Sequence, residues 1–300
     1  MNLTILGRVS PFPGPNGVCP GYLVTSGPTK ILVDCGSGSL TALARLGLAA
    51  GGAAGGPVGG TAGEAVGGAR GDGASSRPFA GLTAVVLSHL HWDHFSDLMV
   101  LRYAAAVDRR DGYRPDGPLP VYAPAEPSPE ARLLSYQDAL RHVAMSAGDE
   151  VTIGDLVIAA RRTSHPLPCH ALEIRERDGG GHRARLVYTA DTGYDDDLLA
   201  WAAGADLLLI EASLNEATVQ YASTLGHLTA RQAGAFAARA RVREALITHV
   251  GPAFDLSEHL AQAREGAAEA GGAPGTDWLS IAVEGKTYCL EGTGAPAPKQ

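Results

Sequence analysis

Positive charge is scarce in this sequence, and so are lysines, aromatic rings and paired cysteines. Of 300 residues, 24 are Lys or Arg and 32 are Asp or Glu, a formal net charge of −8. Lysine occurs only at Lys30, Lys286 and Lys299. Proteins that coat nucleic acid draw affinity from clustered cations, and membrane-surface anchors need a polybasic patch. The acid excess argues against both. No apolar run reaches the ~20 residues that span a bilayer. The opening Met1-Asn2-Leu3-Thr4-Ile5-Leu6 has no basic segment and no cleavage site, so a cytoplasmic chain is expected. Cys19, Cys35, Cys169 and Cys289 show no C-x-x-C spacing and read as scattered buried thiols rather than a disulfide framework. Aromatics make up only 6%, but the hydrophobic share of 45% is ample for a core.

Residues 49–74 hold 19 Ala or Gly among 26 positions and no Leu, Ile or aromatic. Such a segment buries too little surface to offset its ordering entropy and reads as a disordered surface insertion. The surrounding pattern has no phosphate-loop spacing. The tail, 292–300, reads as frayed. The rest, 1–291, reads as one domain in which strands and helices alternate, with no dividing linker.

Strands are predicted at Leu3–Leu6, Gly21–Thr25, Ile31–Asp34 and Ala84–Ser88. A helix is predicted over Ser96–Ala106. Another is expected to start at Ser128 as N-cap, with Pro129 in its first turn, and to run to about His142. Hairpins are expected around Gly154-Asp155 and around residues 178–181. Leu207–Ile210 and Ala245–Thr248 read as buried strands. Thr229 and Ser257 each open an Ala-rich helix, and Leu279–Val283 with Thr287–Leu290 reads as a closing pair. Hairpins mixed with strand–helix units on one core indicate an α/β fold of two sheets covered by helices.

What the sequence does have is an uneven set of ten histidines. Ser88-His89-Leu90-His91-Trp92-Asp93-His94 begins where a predicted strand ends. Imidazole and carboxylate are the donors of divalent-metal sites. In an irregular loop His89 and His91 can face one way and Asp93 and His94 another, which suits two neighbouring ions better than one. Taken singly, His165 and His249 read as polar residues at strand ends and Asp191 as a turn cap.

The H-x-H-x-D-H motif after an apolar strand resembles the metallo-β-lactamase fold, an αββα sandwich of two mixed sheets flanked by helices. Other motifs of that family follow in order from about Leu3 to Leu290. Asp34 in Leu32-Val33-Asp34-Cys35-Gly36 matches an aspartate that braces the metal loop. His165 in Thr163-Ser164-His165-Pro166, Asp191 in Tyr188-Thr189-Ala190-Asp191-Thr192 and His249 in Ile247-Thr248-His249 match metal ligands. The resemblance implies that His89, His91 and His165 hold one ion and Asp93, His94 and His249 a second, with Asp191 bridging. It also implies two Zn²⁺ ions, with Mn²⁺ possible, sharing a hydroxide nucleophile. His170, five residues after His165, is expected in a supporting role, and His142, His182 and His259 on the surface or on helix faces.

Within the family, the sequence most resembles the RNase Z-like phosphodiesterase branch. Ile210-Glu211-Ala212-Ser213 is similar to its H-E-A-T motif with Ile210 replacing the histidine. Gly226-His227-Leu228-Thr229 is similar to its H-[S/T]-T motif. The resemblance implies a His227–Glu211 dyad that protonates the departing oxygen, with Asp93 counted among the catalytic groups. RNase Z inserts a tRNA-gripping arm between the third-motif histidine and the bridging aspartate. Here His165 and Asp191 are 26 positions apart and no arm fits. The expectation is a phosphodiesterase for a small diester such as a 3′,5′-cyclic nucleotide, homodimeric as is usual in the branch, with nucleic acid and membrane disfavoured as partners. The alternatives are a lactonase or thioesterase on the same site, a tRNA 3′-processing endoribonuclease, and a non-catalytic metal-binding scaffold.

Overall fold

Short runs of Leu, Ile and Val bounded by turn residues fold as strands. The computed structural model describes residues 1–15, 17–46, 79–114, 116–177, 183–272 and 277–291. The expected insertion at 49–74, the turn at 178–181, His182 and the tail at 292–300 lie outside the described residues. In chain order the elements are β1 (Asn2–Gly7), β2 (Gly21–Ser26), β3 (Thr29–Cys35), α1 (Ser39–Arg45), β4 (Ala84–Val86), α2 (Trp92–Phe95), α3 (Leu98–Arg110), β5 (Leu119–Ala123), α4 (Ser128–Ala131), β6 (Leu140–Ala144), β7 (Glu150–Ile153), β8 (Leu156–Arg162), β9 (His170–Glu176), β10 (Arg185–Tyr188), α5 (Asp196–Ala202), β11 (Leu207–Glu211), α6 (Ala222–Leu225), α7 (Ala230–Arg239), β12 (Glu244–Thr248), α8 (Leu256–Glu269), β13 (Leu279–Ile281) and β14 (Thr287–Cys289). No described helix is long and apolar enough to cross a membrane.

One sheet has the order β14-β1-β2-β3-β4-β5-β6 and the other β13-β12-β11-β10-β9-β8-β7. Strand side chains alternate between faces, and both faces of each sheet are covered. Ile31 and Val33 of β3 face inward, where they share a core with Ile158, Ile174, Leu186 and Tyr188 of the other sheet. Leu32, between them, faces outward with Val85 and Val121 onto Leu43, Phe95, Leu98 and Leu101. Val187, Leu208, Ile210 and Ile247 cover the outer face of the second sheet against Leu198, Phe236 and Ala263. The result is the expected αββα sandwich. In each sheet one end is parallel, β3 out to the edge strand β6 and β10 out to the edge strand β13. Parallel strands buried on both faces read as continuous apolar runs, which is why Ala84–Val86 and Leu207–Ile210 stand out.

Several local expectations change. The helix expected from Ser128 to His142 stops at Ala131 and gives way to a 3₁₀ turn over Arg132–Leu134. Pro127, rather than Ser128, is the N-cap residue. His142 lies on β6, which the parallel ladder of β5 recruits as an edge strand despite its helix-permissive composition. Leu279–Ile281 and Thr287–Cys289 do not pair. The first adds to β12 and the second to β1, on opposite sheets, because each completes an available edge. Asp255 rather than Ser257 caps α8, its carboxylate accepting from the backbone of Ser257 and Glu258. His259 is buried and its Nε2 meets the carbonyl of Ala212 at 2.9 Å. Cys289 is exposed, whereas Cys19, Cys35 and Cys169 are buried, and all four are free thiols.

Candidate metal centre

The polar residues singled out in the sequence cluster where parallel strands of both sheets end. Asp34 ends the apolar run of β3, the 88–94 loop follows β4, Asp191 follows β10, Glu211 is the last residue of β11 and His249 follows β12. Carboxyl ends of parallel strands are where open α/β sheets place their ligands, because the chain leaves the ladder there and its side chains are free to converge. The backbone is strained at these exits. Asp34, Ala190 and His249 have φ of 54°, 51° and 54°. Such left-handed geometry costs a non-glycine residue about 1–3 kcal/mol and persists only where surroundings impose it.

Asp34 anchors the loop. It is fully buried; its carboxylate accepts from the backbone NH of Ser88 at 2.8 Å, from Ser88 Oγ at 3.0 Å, from Tyr188 Oη at 2.9 Å and from His94 Nδ1 at 2.8 Å. Ser88 Oγ in turn meets His89 Nδ1 at 3.0 Å. The buried His170 lies outside the cluster of candidate donors. Its backbone NH donates to the Ser88 carbonyl at 2.9 Å, which ties β9 of the second sheet to a loop carried by the first.

The donor atoms form two main groups, His89, His91, His165 and Asp191 in one and Asp93, His94 and His249 in the other, with a third group of Asp191, His227 and His249 overlapping both; within each, the candidate atoms all lie within 4.8 Å of one another. Asp191 straddles the two main groups, with Oδ2 3.4 Å from His89 Nε2 and Oδ1 3.3 Å from His94 Nε2 and 3.2 Å from His249 Nε2. Asp93 Oδ2 stands 3.7 Å and 3.5 Å from the same two nitrogens, which are 3.0 Å apart. Donors about 2.0–2.1 Å from a tetrahedral zinc are about 3.3 Å from each other, so these spacings are those of a cation's coordination shell. Buried polar atoms are normally paired, yet His89 Nε2, both ring nitrogens of His165 and Asp191 Oδ1 are buried without a hydrogen-bond partner. The residues present therefore fit a divalent metal site.

Electrostatics keep three of the imidazoles neutral as ligands, whereas at His94 burial is outweighed by the carboxylates of Asp191, Asp93 and Asp34, which hold that ring well above its ordinary value. Burial, reinforced by the neighbouring His89, pulls His91 down to about 4 and His165 down to about 3. Burial also lowers His89, aided by His94. Neutral imidazole is the metal-binding form. At Asp191 and Asp93 burial opposes the charge, but the surrounding histidines outweigh it and hold both carboxyls below the usual range. Ser10 Oγ donates to Asp93 Oδ2 at 2.9 Å, fixing the carboxylate from a loop 83 residues away in sequence.

Beside this centre stands the pair read from the sequence. His227 Nδ1 is 2.8 Å from Glu211 Oε1. The His227 ring lies 5.7 Å from those of His165 and His249. Glu211 is fully buried and also accepts from the backbone NH of Thr192 and of Ser213, each at 3.0 Å. Burial works against a charged His227, but the Glu211 carboxylate outweighs it and raises the imidazole to about 9. The loop before His227 turns at Gly226, φ 71°, where a Cβ would stand 2.8 Å from His165 Cα. That close approach brings His227 to the centre.

Residues 29–250 match the family model described as a β-lactamase superfamily domain. The chain belongs to that superfamily. It is 31% identical over 260 residues to the probable metallo-hydrolase YhfI of Bacillus subtilis, covering 87% of this chain and 91% of that one. The crystal structure of YhfI, a metallo-β-lactamase fold protein, superposes with a TM-score of 0.75 at 27% identity, over 96% of this chain and 98% of the other. A ribonuclease Z of Mycobacterium bovis is 28% identical over 280 residues, covering 85% of this chain and 87% of that one. In this superfamily member, motif reading reaches the donors but misses some of what holds them. Ser88 and Ser213 lie inside the quoted motifs, where their hydroxyls are the signal that could have marked them. Tyr188, which meets Asp34, likewise opens the quoted Asp191 motif, whereas Ser10 carries no local signal, because folding alone brings it to Asp93.

Proposed function

We propose that this protein is a metal-dependent hydrolase that cleaves small phosphodiesters, with a 3′,5′-cyclic nucleotide as the model substrate. The observation that carries this reading is the buried Glu211 carboxylate 2.8 Å from His227 Nδ1, next to a complete set of metal donors. Two divalent ions, Zn²⁺ in an imidazole-rich set and Mn²⁺ as the other candidate, would be held by His89, His91 and His165 and by Asp93, His94 and His249 with Asp191 between. When bound they would supply Lewis acidity and lower the pKa of water.

The chain's own residues supply the proton. An alkoxide leaving group needs an acid poised to protonate it as its bond to phosphorus breaks. Glu211 keeps the Nδ1 side of His227 engaged and the ring charged, leaving Nε2 as the other N–H. The side chain of His227 is 18% exposed, enough for a ligand to reach it, while that of Glu211 is fully enclosed. Asp34 and Ser10 keep His94 and Asp93 in place. A small anion suits the chain better than a long one: the net charge is −8, and a β9–β10 hairpin occupies the interval between His165 and Asp191. The ribonuclease Z relative keeps RNA cleavage as an outcome to test.

The test is turnover of a chromogenic aryl phosphodiester and of cyclic AMP by protein reconstituted with Zn²⁺ or Mn²⁺. Lactones, thioesters and precursor tRNA are run in parallel. Metal-dependent cleavage of both diesters is expected. Absence of diester turnover alongside lactone or thioester cleavage that survives His227→Ala would replace this reading with the acyl-hydrolase one, and accurate 3′-end cleavage of the tRNA would replace it with the processing enzyme.

A further inference from the structure

The Ser213 hydroxyl has three polar neighbours. Its Oγ lies 2.5 Å from Glu211 Oε2, 2.8 Å from His249 Nδ1 and 3.2 Å from His227 Nδ1. A hydroxyl has one proton to donate and lone pairs to accept with. An ionised Glu211 can only accept, so the Ser213 proton goes to Oε2. The Oγ lone pairs then face the ring nitrogens, and His249 at 2.8 Å donates its Nδ1–H. His227, at the longer 3.2 Å, keeps its own Nδ1–H on Glu211 Oε1. With its proton on Nδ1, His249 presents a bare Nε2 to the donor cluster.

The same wiring recurs on the other side of the centre. Ser88 Oγ donates to Asp34 Oδ2 at 3.0 Å and stands 3.0 Å from His89 Nδ1. Two candidate ligands, His89 from one sheet and His249 from the other, thus each lean on a serine that leans on a buried carboxylate. The two relays differ in what else the carboxylate serves. Asp34 holds another ligand, His94, whereas Glu211 holds His227.

We propose that Ser213 is a positioning residue that fixes the ring orientation and Nδ1–H tautomer of His249 and joins that metal ligand to the carboxylate serving His227. The proposal rests on the metal-ligand reading given above and adds to it a shared support. Glu211 orients the proton donor through one oxygen and, through Ser213, a metal ligand through the other. Partners behind a metal-binding histidine fix its tautomer and raise its basicity, and their loss typically costs about 10–100-fold in metal affinity.

The experiment compares Ser213→Ala, Ser213→Val and Ser213→Thr with the native protein. Zn²⁺ affinity is measured by competition with a chromophoric chelator at neutral pH, and the unfolding midpoint of each metal-free protein is recorded. Valine and threonine have nearly the same shape and differ by the oxygen, so that pair separates hydrogen bonding from packing. The Ala and Val variants are expected to bind their more weakly held Zn²⁺ about 10–100-fold less tightly, while Thr restores native affinity. Val binding Zn²⁺ as tightly as Ser, or Thr binding as weakly as Val, would overturn the proposal. The readout is metal affinity, so a native protein that cleaves no diester would refute the proposed activity and leave this comparison intact.

Discussion

Replacing Glu211 by Gln tests the proton-donor pair most directly, because it removes the charge with little change in side-chain shape. The native carboxylate accepts from Thr192 N, Ser213 N, Ser213 Oγ and His227 Nδ1, at 3.0, 3.0, 2.5 and 2.8 Å. A carboxamide has one accepting oxygen, so one side of this set would face an NH₂ group instead. His227 stands at about 9 against an ordinary 6.5, a difference worth about 3 kcal/mol in favour of the charged ring. Without the carboxylate, burial remains and pushes the ring below 6.5. At pH 7.5 the protonated share then falls from nearly all to roughly a tenth or less. Bound cations lower both values together, so the comparison between variant and native is the informative one.

General acids contribute about 10²–10⁴-fold to rate. With the protonated share of His227 cut to roughly a tenth, Glu211→Gln is expected to lower kcat/KM at pH 7.5 at least about 10-fold for a diester with an alkyl leaving group, which needs the proton. A nitrophenolate leaves without help, so an aryl diester should suffer much less. The alkaline limb of the alkyl-diester pH–rate profile should move to lower pH. The assay is kcat/KM from pH 6 to 10 on both substrates with metal content matched. Equal losses on the two substrates, or an unmoved limb, would refute the role given to the pair. In the metal-free protein the sign is equally definite. A raised histidine stabilises fully below the unfolded value of 6.5, and that contribution is lost as pH rises toward about 9; Glu211→Gln should flatten this decline in urea midpoints.

Three other outcomes are expected. Asp191→Asn replaces an oxygen that faces one donor group or the other by an NH₂, and dialysed protein analysed by atomic emission should retain less metal than native; unchanged stoichiometry would count against a bridging position. Gly36→Ala would set a Cβ 1.9 Å from the carbonyl of Asp93; overpacking of this kind costs about 1–3 kcal/mol or more, read as a lower unfolding midpoint, and an unchanged midpoint would show that the loop yields freely. Burial lowers His91 to about 4, His165 to about 3 and His170 to about 4. Histidines held below 6.5 stabilise above 6.5 and lose that contribution as pH falls through their folded values, so metal-free protein should weaken between pH 6.5 and 3 in denaturation curves, and His170→Gln should soften that slope; a slope that His170→Gln leaves untouched would remove His170 from the account.

Much of the fold was legible because parallel strands buried on both faces leave continuous apolar runs, as at Ala84–Val86, Leu207–Ile210 and Ala245–Thr248. The turn at Gly154-Asp155 was legible from its residues alone, and Gly154 takes the left-handed φ of 56° there. Errors fell where local preference lost to an open strand edge. The stretch through His142 has no strong preference of its own, and the ladder of β5 makes its end a strand. Leu279–Ile281 and Thr287–Cys289 look like a hairpin in sequence, but each found a different sheet to complete.

By itself, the sequence determined which donors are available and in what order: the 88–94 motif places four of them within six residues, and the resemblance to the family's later motifs marks Asp191 and His249. Donor type, local spacing and apolar periodicity are properties of neighbouring residues, so they survive without a structure. Only the tertiary structure decided that Asp191 stands between two donor groups, that Ser10 reaches Asp93, and that Ser213 connects Glu211 to His249. These contacts join distant chain segments, 83 residues apart for Ser10 and Asp93. They exist because two sheets pack face to face with their strand ends together, a geometry that no local pattern encodes.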